Sequence, residues 1–410
     1  MKQLSLCAAL LAAICVARDA SADDTPPRDP TSPAPETRSA PTTTRPPAPI
    51  DTAAPDVDPE VRNSDAPREG EQRKERTGAT AALGAAAAVI PGVVVHGAGH
   101  LATGETRTGL KLLALEGAGL GLAAAGFLPI VFTGASRRVI GPAAALSVAG
   151  VGLFAISLFA DMYGVLAPQG GTGTPFLVAP DVQTSFGYRY VYDPVFAYRH
   201  FLVQDIDYRT GGWRIHPSAW FALDDTNALL RAHVAYRFIG PRPGGYPRVA
   251  DGSFLDLDAA VTRHAFTSNR FTTTTGELAI SGRLDMVRFD PLLRGSFAEM
   301  SFGMAMQAYS YKVQGTTADL SEILLARFGF GMYFGRPGTQ RGEALVYYDH
   351  RHDGYAAGLK IPGLGSGVAG HFGAEGRYYL SDHWGLAAEA VAGSAYVMGL
   401  SVLFRQGAPL

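Results

Sequence analysis

Two clusters in this sequence carry residue types that do chemistry. The denser is Tyr347-Tyr348-Asp349-His350-Arg351-His352-Asp353-Gly354. A histidine beside a carboxylate is the base-and-orienter pair of many hydrolytic sites, so Asp349, His350, His352 and Asp353 are candidate catalytic residues for cleaving a lipid or a peptide. No serine in a Gly-x-Ser-x-Gly setting accompanies them. A polar loop after a strand that ends in interfacial tyrosines has the same composition. The second cluster is His96-Gly97-Ala98-Gly99-His100. Four-residue spacing would put both imidazoles on one helix face, where Glu105 or Glu116 could complete a metal site. The glycines between them weaken any helix there, and a glycine-rich loop with locally hydrogen-bonded histidines explains the same residues. The balance of both clusters favours no catalytic residue, no metal and no cofactor.

Composition narrows the classes further. The 410 residues are 47% hydrophobic and 18% charged, and the formal net charge is -2. No large basic field is present, which argues against a nucleic-acid partner. Lys2, the short apolar run Leu4 to Val16 and the small-x-small motif Ala20-Ser21-Ala22 read as an export signal at 1–22 for Sec-type secretion, with a mature start near Asp23. Cys7 and Cys15 fall inside that signal, so the mature chain is expected to have no thiol chemistry, which suits passage through an oxidising periplasm.

The elements that must position these clusters differ sharply along the chain. Residues 23–78 are rich in Pro, Thr, Ala and charge and read as a disordered linker. From 79 to 165 three Gly/Ala-rich apolar segments follow: Ala81 to Val95 broken by Pro91-Gly92, Leu110 to Phe132, and Val139 to Ala160. Their lengths predict a helical hairpin, with Gly117 and Gly121 one turn apart for close backbone approach. A linker at 166–181 then leads into a different period.

From Val182 to Phe404 hydrophobic residues recur every second position. Val182, Thr184, Phe186, Tyr188 and Tyr190 oppose Gln183, Ser185, Gly187 and Arg189; Leu230, Ala232, Val234, Tyr236 and Phe238 oppose Arg231, His233 and Arg237. Phe328, Phe330, Met332 and Phe334 likewise oppose Arg327, Gly329 and Gly331. Long alternating segments with charge and glycine on one face predict an antiparallel transmembrane β-barrel of about 12 strands (range 10–14), apolar outside and polar inside. The fold class is mainly β with a helical module in front. Segments Arg294 to Val313 and Trp384 to Phe404 could each be one strand or a hairpin. Met300, Met304 and Met306 fall on the lipid side. Lumen-lining candidates are Arg189, Arg231, Arg237, Glu277, Arg283, Glu299, Arg327, Glu375 and Arg377. They could line a channel or pair up as a filled interior.

The ending Gly399-Leu400-Ser401-Val402-Leu403-Phe404 resembles the terminal strand signal of outer-membrane β-barrel proteins, and Leu380-Ser381-Asp382-His383-Trp384-Gly385-Leu386 is similar to a hairpin turn common among them. Residues 405–410 follow as a tail. The resemblance implies residence in the cell outer membrane, contact with its lipids and folding by its insertion machinery. The glycine spacing after Pro91-Gly92 is loosely similar to helical envelope modules of unknown function, and such a module could contact other envelope proteins. The expectation is a non-enzymatic barrel, structural or passively conducting. Alternatives are an outer-membrane hydrolase using 349–353 and a protein bridging the inner and outer membranes.

Overall fold

The computed structural model describes residues 78–133, 136, 138–166, 180–194, 199–242, 251–266, 271–310, 320–336, 339–356, 358–360 and 368–407. The export signal, nearly all of the Pro-rich segment and most of the 166–181 linker lie outside them.

Period-two alternation produces strands, in chain order β1 (Val182–Tyr192), β2 (His200–Thr210), β3 (Trp213–Ala222), β4 (Ala228–Ile239), β5 (Phe254–Ala265), β6 (Thr272–Asp285) and β7 (Ser296–Tyr309). They continue as β8 (Leu320–Arg336), β9 (Thr339–Asp349), β10 (Leu359–Lys360), β11 (Val368–Ala369), β12 (His371–Tyr379), β13 (Trp384–Ala392) and β14 (Tyr396–Gln406). The two-residue β10 and β11 pair only with each other; the other twelve close a barrel in which every sequential neighbour is antiparallel. β1 closes on β14 from Val182↔Gln406 to Tyr192↔Tyr396. Residues 296–309 form one strand, whereas 384–406 form a hairpin. The last strand runs past Phe404 through Gln406, so the first tail residues belong to the wall.

Both barrel termini lie at the end that carries the connections 211–212, 286–295, 337–338 and 380–383, here called the turn end. The opposite, loop end carries the 350–370 connection. In barrels of this kind short turns face the periplasm and long loops the exterior. The outward face is apolar: Phe186, Met300, Phe302, Met304, Met306, Met398 and Leu400 are all more than half exposed. Most charged side chains of the strands point inward. With no water beside the wall, closure is what satisfies every strand's backbone donors and acceptors.

The front of the chain folds as α1 (Gly78–Val89), α2 (Ala98–Ala102), α3 (Thr106–Phe132) and α4 (Ile140–Leu166). α3 and α4 are each long and apolar enough to cross a membrane. Gly117 and Gly121 were expected to allow close packing, but a side chain at either would meet nothing within 4 Å. Close approach occurs on another face. A Cβ at Gly119 would fall 2.7 Å from the Phe154 amide nitrogen, and Gly150 and Gly126 meet backbone of the facing helix in the same way. Spacing identified small residues correctly but not which side of the helix faced the partner.

This hairpin sits against the barrel's outer wall. Leu112, Ile156 and Ala160 pack with Met286 and Leu293 of the 286–295 connection and with Ala298 and Phe330 on the wall. The Phe330 ring lies over Gly152, and the Tyr163 ring lies over Gly295 at φ +86°. Met332, expected to face lipid with its strand neighbours, is 3% exposed because this region is covered. The two long helices thus pack beside the barrel rather than standing apart from it, as a bridge to a second membrane would require.

Candidate functional site

Inside the barrel lies a chamber of about 590 Å³ lined almost wholly by charged and small residues. Each of the lumen candidates read from sequence, Arg189, Arg231, Arg237, Glu277, Arg283, Glu299, Arg327, Glu375 and Arg377, lines it. Their charges are matched across strands. Arg189 meets Glu389 at 2.6 Å, Arg237 holds Asp256 through two nitrogens at 2.8 Å, and Arg327 meets Glu375 at 2.9 Å.

Two chains of ion pairs cross the interior rather than following the wall. Near the turn end, Arg283 on β6 donates to Glu343 on β9 at 2.7 Å, and Glu343 accepts from Arg377 on β12 at 2.6 Å. Arg283 also donates to Glu299 at 2.6 Å and stands 3.9 Å above the Phe297 ring. Phe297, Tyr333, Leu345 and Tyr347 fill that level. Nearer the loop end, Arg231 on β4 donates to Glu277 on β6 at 2.5 and 2.8 Å, and Glu277 accepts from Arg351, which follows β9, at 2.8 Å. The chamber therefore lies between two crossbars, in each of which a central carboxylate is shared by two arginines.

Several lining residues escaped the sequence reading: Asp207, Arg209, Arg214, Asp256, Glu343 and Arg351. Asp207 accepts from Arg209 at 2.8 Å and from Arg214 Nε at 3.1 Å. A signal was present, since Asp205, Asp207 and Arg209 are spaced by two on β2, as are Arg214 and His216 on β3. Asp207 and Arg209 pair within β2, but the partners of Arg214, Asp256 and Glu343 lie on other strands.

The hydrolase candidates come together differently from a catalytic pair. Asp349 accepts from the Arg351 amide at 2.9 Å, and Asp353 takes Arg351 Nε and Nη2 at 2.8 and 2.9 Å. Asp353 thus serves the Arg351 guanidinium and Asp349 the backbone amide of the same residue. His350 faces the Tyr348 hydroxyl at 2.9 Å, and its ring lies 4.7 Å from that of the exposed His352. Burial, then the neighbouring His352, lowers the His350 pKa. Burial works against the Arg351 charge, but Asp353 and Glu277 outweigh it and raise that group's pKa above its ordinary value.

The glycine-loop histidines are likewise separated in role. The fully buried Asp161 of α4 accepts from the amides of Gly97, Gly99 and His100 at 3.0, 3.2 and 3.2 Å and lies 2.6 Å from His100 Nδ1. Glu116 of α3 accepts from the His96 amide at 2.8 Å. His96 Nδ1 lies 2.7 Å from Ser157 Oγ, whose proton goes to the Phe154 carbonyl. His96 Nδ1 is therefore the donor, and its Nε2 is unpaired among the described residues. Burial lowers the His96 pKa although Glu116 and Asp161 oppose the shift. Among the described residues no group of three could hold a metal. The carboxylates in these apolar helices cap an irregular backbone segment that hydrocarbon could not solvate.

No protein-family model matches the chain, and no curated protein matches it. Solved structures with a similar barrel include the KdgM porin, at 8% identity and TM-score 0.35, covering 54% of this chain and 98% of that one. The NanC porin is similar at 11% identity and TM-score 0.32, with 55% and 99% covered. Omp33 of Acinetobacter baumannii is similar at 10% identity and TM-score 0.27, with 56% and 99% covered. These are loose similarities that transfer no activity; what the chain's own geometry shows is a closed twelve-stranded antiparallel barrel of the outer-membrane type, preceded by helices.

Proposed function

We propose that this protein is a non-enzymatic outer-membrane barrel that passes water and small polar solutes passively through a narrow lumen of mixed charge. The observation that carries the reading is the 590 Å³ chamber held between two ionic crossbars. Its volume is within the range of small-molecule sites, about 300–1,000 Å³. Its walls carry interleaved cations and anions, which favours hydrogen-bonding solutes without strong preference for either sign of charge. The apolar exterior seats the barrel in lipid, and β14 would serve as its address to the insertion machinery. In the 349–353 cluster Asp353 holds the Arg351 guanidinium and Asp349 its backbone amide, an arrangement that supports a structural role for these acids.

Liposome swelling and planar-bilayer recording of the refolded full chain test this. The expected result is uptake of small neutral and zwitterionic solutes, small current steps, and a reversal potential near zero in a salt gradient. Vesicles as tight as protein-free ones, both for the wild type and after the crossbar charges are neutralised, would overturn the channel reading.

A further inference from the structure

The segment after β9 does not leave the barrel mouth. Its residues 351–356 turn inward and pack against the wall. Tyr355 is 9% exposed, its ring stacked on Trp220 at 5.4 Å with an interplanar angle of 16°. Phe201 and His264 close the same socket, each with its ring centroid 5.0 Å away. The Tyr355 hydroxyl donates to Asn227 Oδ1 at 2.7 Å. Four residues earlier in the segment, Arg351 reaches across β7 and β8 to Glu277 on β6. His352 and Gly354 between the two anchors are exposed.

We propose that Arg351–Ala356 is a built-in gate of the lumen, in which Tyr355 is the plug and Arg351 the latch. This rests on the passive-channel reading above. The observation behind it is that Glu277 and Asn227, the side chains that the two anchors hold, each keep another bond when the anchor leaves. If Arg351 leaves, Glu277 keeps its two-nitrogen bond from Arg231 at 2.5 and 2.8 Å, and Arg351 keeps Asp353 at 2.8 and 2.9 Å. If Tyr355 leaves, Asn227 Oδ1 keeps His264 Nε2 at 3.0 Å. Opening most buried ion pairs leaves an uncompensated charge, which is what makes them rigid. Here Glu277, Arg351 and Asn227 each keep a second partner, which lowers the cost of releasing the segment, as a switching element requires. The crossbar near the turn end shares the ionic half of this property, since Glu343 keeps Arg377 and Arg283 keeps Glu299 if Arg283 and Glu343 part, but both of its arginines lie on strands of the wall, whereas Arg351 lies in the connection after β9. What sets the crossbar near the loop end apart is that its outer arginine can move without bending a strand of the wall.

The test is single-channel recording of the full chain with Arg351→Ala, Tyr355→Ala and Tyr355→Phe. The two alanine variants should raise mean conductance about two-fold or more as the constriction clears. Tyr355→Phe keeps the ring stack and should stay close to wild type. A heat-modifiable gel shift checks folding; should Tyr355→Ala not fold, Arg351→Ala, which lies outside the strands, decides. Folded alanine variants with wild-type conductance would sink the gate while leaving the channel standing. Silence from the wild type and every variant would overturn the channel reading and the gate with it. A silent wild type with conducting alanine variants supports the gate, with its resting state closed.

Discussion

Replacing Asp161 with alanine removes the acceptor of the Gly97, Gly99 and His100 amides and of His100 Nδ1 in one step. Each charge-assisted bond contributes about 1.5–3 kcal/mol, but bonds to one carboxylate are not additive. The appropriate scale is that of breaking a buried polar network, about 3–5 kcal/mol. Because the hydrogen bonds of Asp161 found among the described residues go to the segment around α2, the loss should appear as local opening there and not as unfolding of the barrel. At 1.36 kcal/mol per tenfold, the opening equilibrium of that segment should rise by roughly 150- to 5,000-fold. Hydrogen exchange of the protein in detergent or nanodiscs reads this through peptides covering 95–105, with peptides from β13 as the unchanged reference. Asp161→Asn, which retains one oxygen, should fall between the two. An increase below tenfold in 95–105 would refute the reasoning, as would equal acceleration in β13, because either outcome means the carboxylate is not what orders this backbone.

Two further predictions follow from the same region. Gly295→Ala introduces a side chain at φ +86° directly into the Tyr163 ring, so the hairpin should lose protease resistance around 286–295 while barrel heat-modifiability persists; unchanged protection would mean that Tyr163 does not hold the hairpin there. His96 is held mainly neutral by burial, with Glu116 and Asp161 the charges that face it, and its folded pKa lies below the ordinary 6.5. Its contribution is thus complete above pH 6.5 and declines as pH falls from there toward the lowered value. Exchange of 95–100, corrected for intrinsic rates, should accelerate between pH 7.5 and 5.5, and a His96→Gln variant that keeps the same pH profile would disprove the assignment.

The barrel was legible because a strand in lipid has little freedom: apolar positions must face out, so Arg231 and Arg237 had to face in once Leu230 and Val234 were assigned. Pairing was not legible. Whether Arg283 meets Glu299 beside it or Glu343 across the lumen depends on strand order, stagger and side-chain reach, none of which a single alternating segment encodes. The Asp349 to Asp353 cluster looked chemical because its histidines and acids are adjacent in sequence. Arg351, the residue set aside in that reading, holds Asp353 with its guanidinium and Asp349 with its backbone amide. The helical half shows the same limit. Gly117 and Gly121 satisfied a spacing rule, but the packed face was chosen by Gly119, Gly126 and Gly150, whose positions place the backbones of α3 and α4 together. Met332 looked like its lipid-facing neighbours because nothing in its own strand announces that a helix will cover it.

The hairpin lying on β7 and β8 gives the protein a back and a front in the plane of the membrane. Around most of the circumference acyl chains meet pleated wall, at residues such as Phe186, Met398 and Leu400. Over Ala298, Phe330 and Met332 they meet helix instead. The belt of surrounding lipid is therefore not rotationally equivalent, and a neighbouring barrel drifting past in a crowded bilayer would encounter two different materials depending on its heading. Side-by-side strand-wall contact is open on one flank and closed on the other, so any lateral clustering of this protein would have a built-in direction.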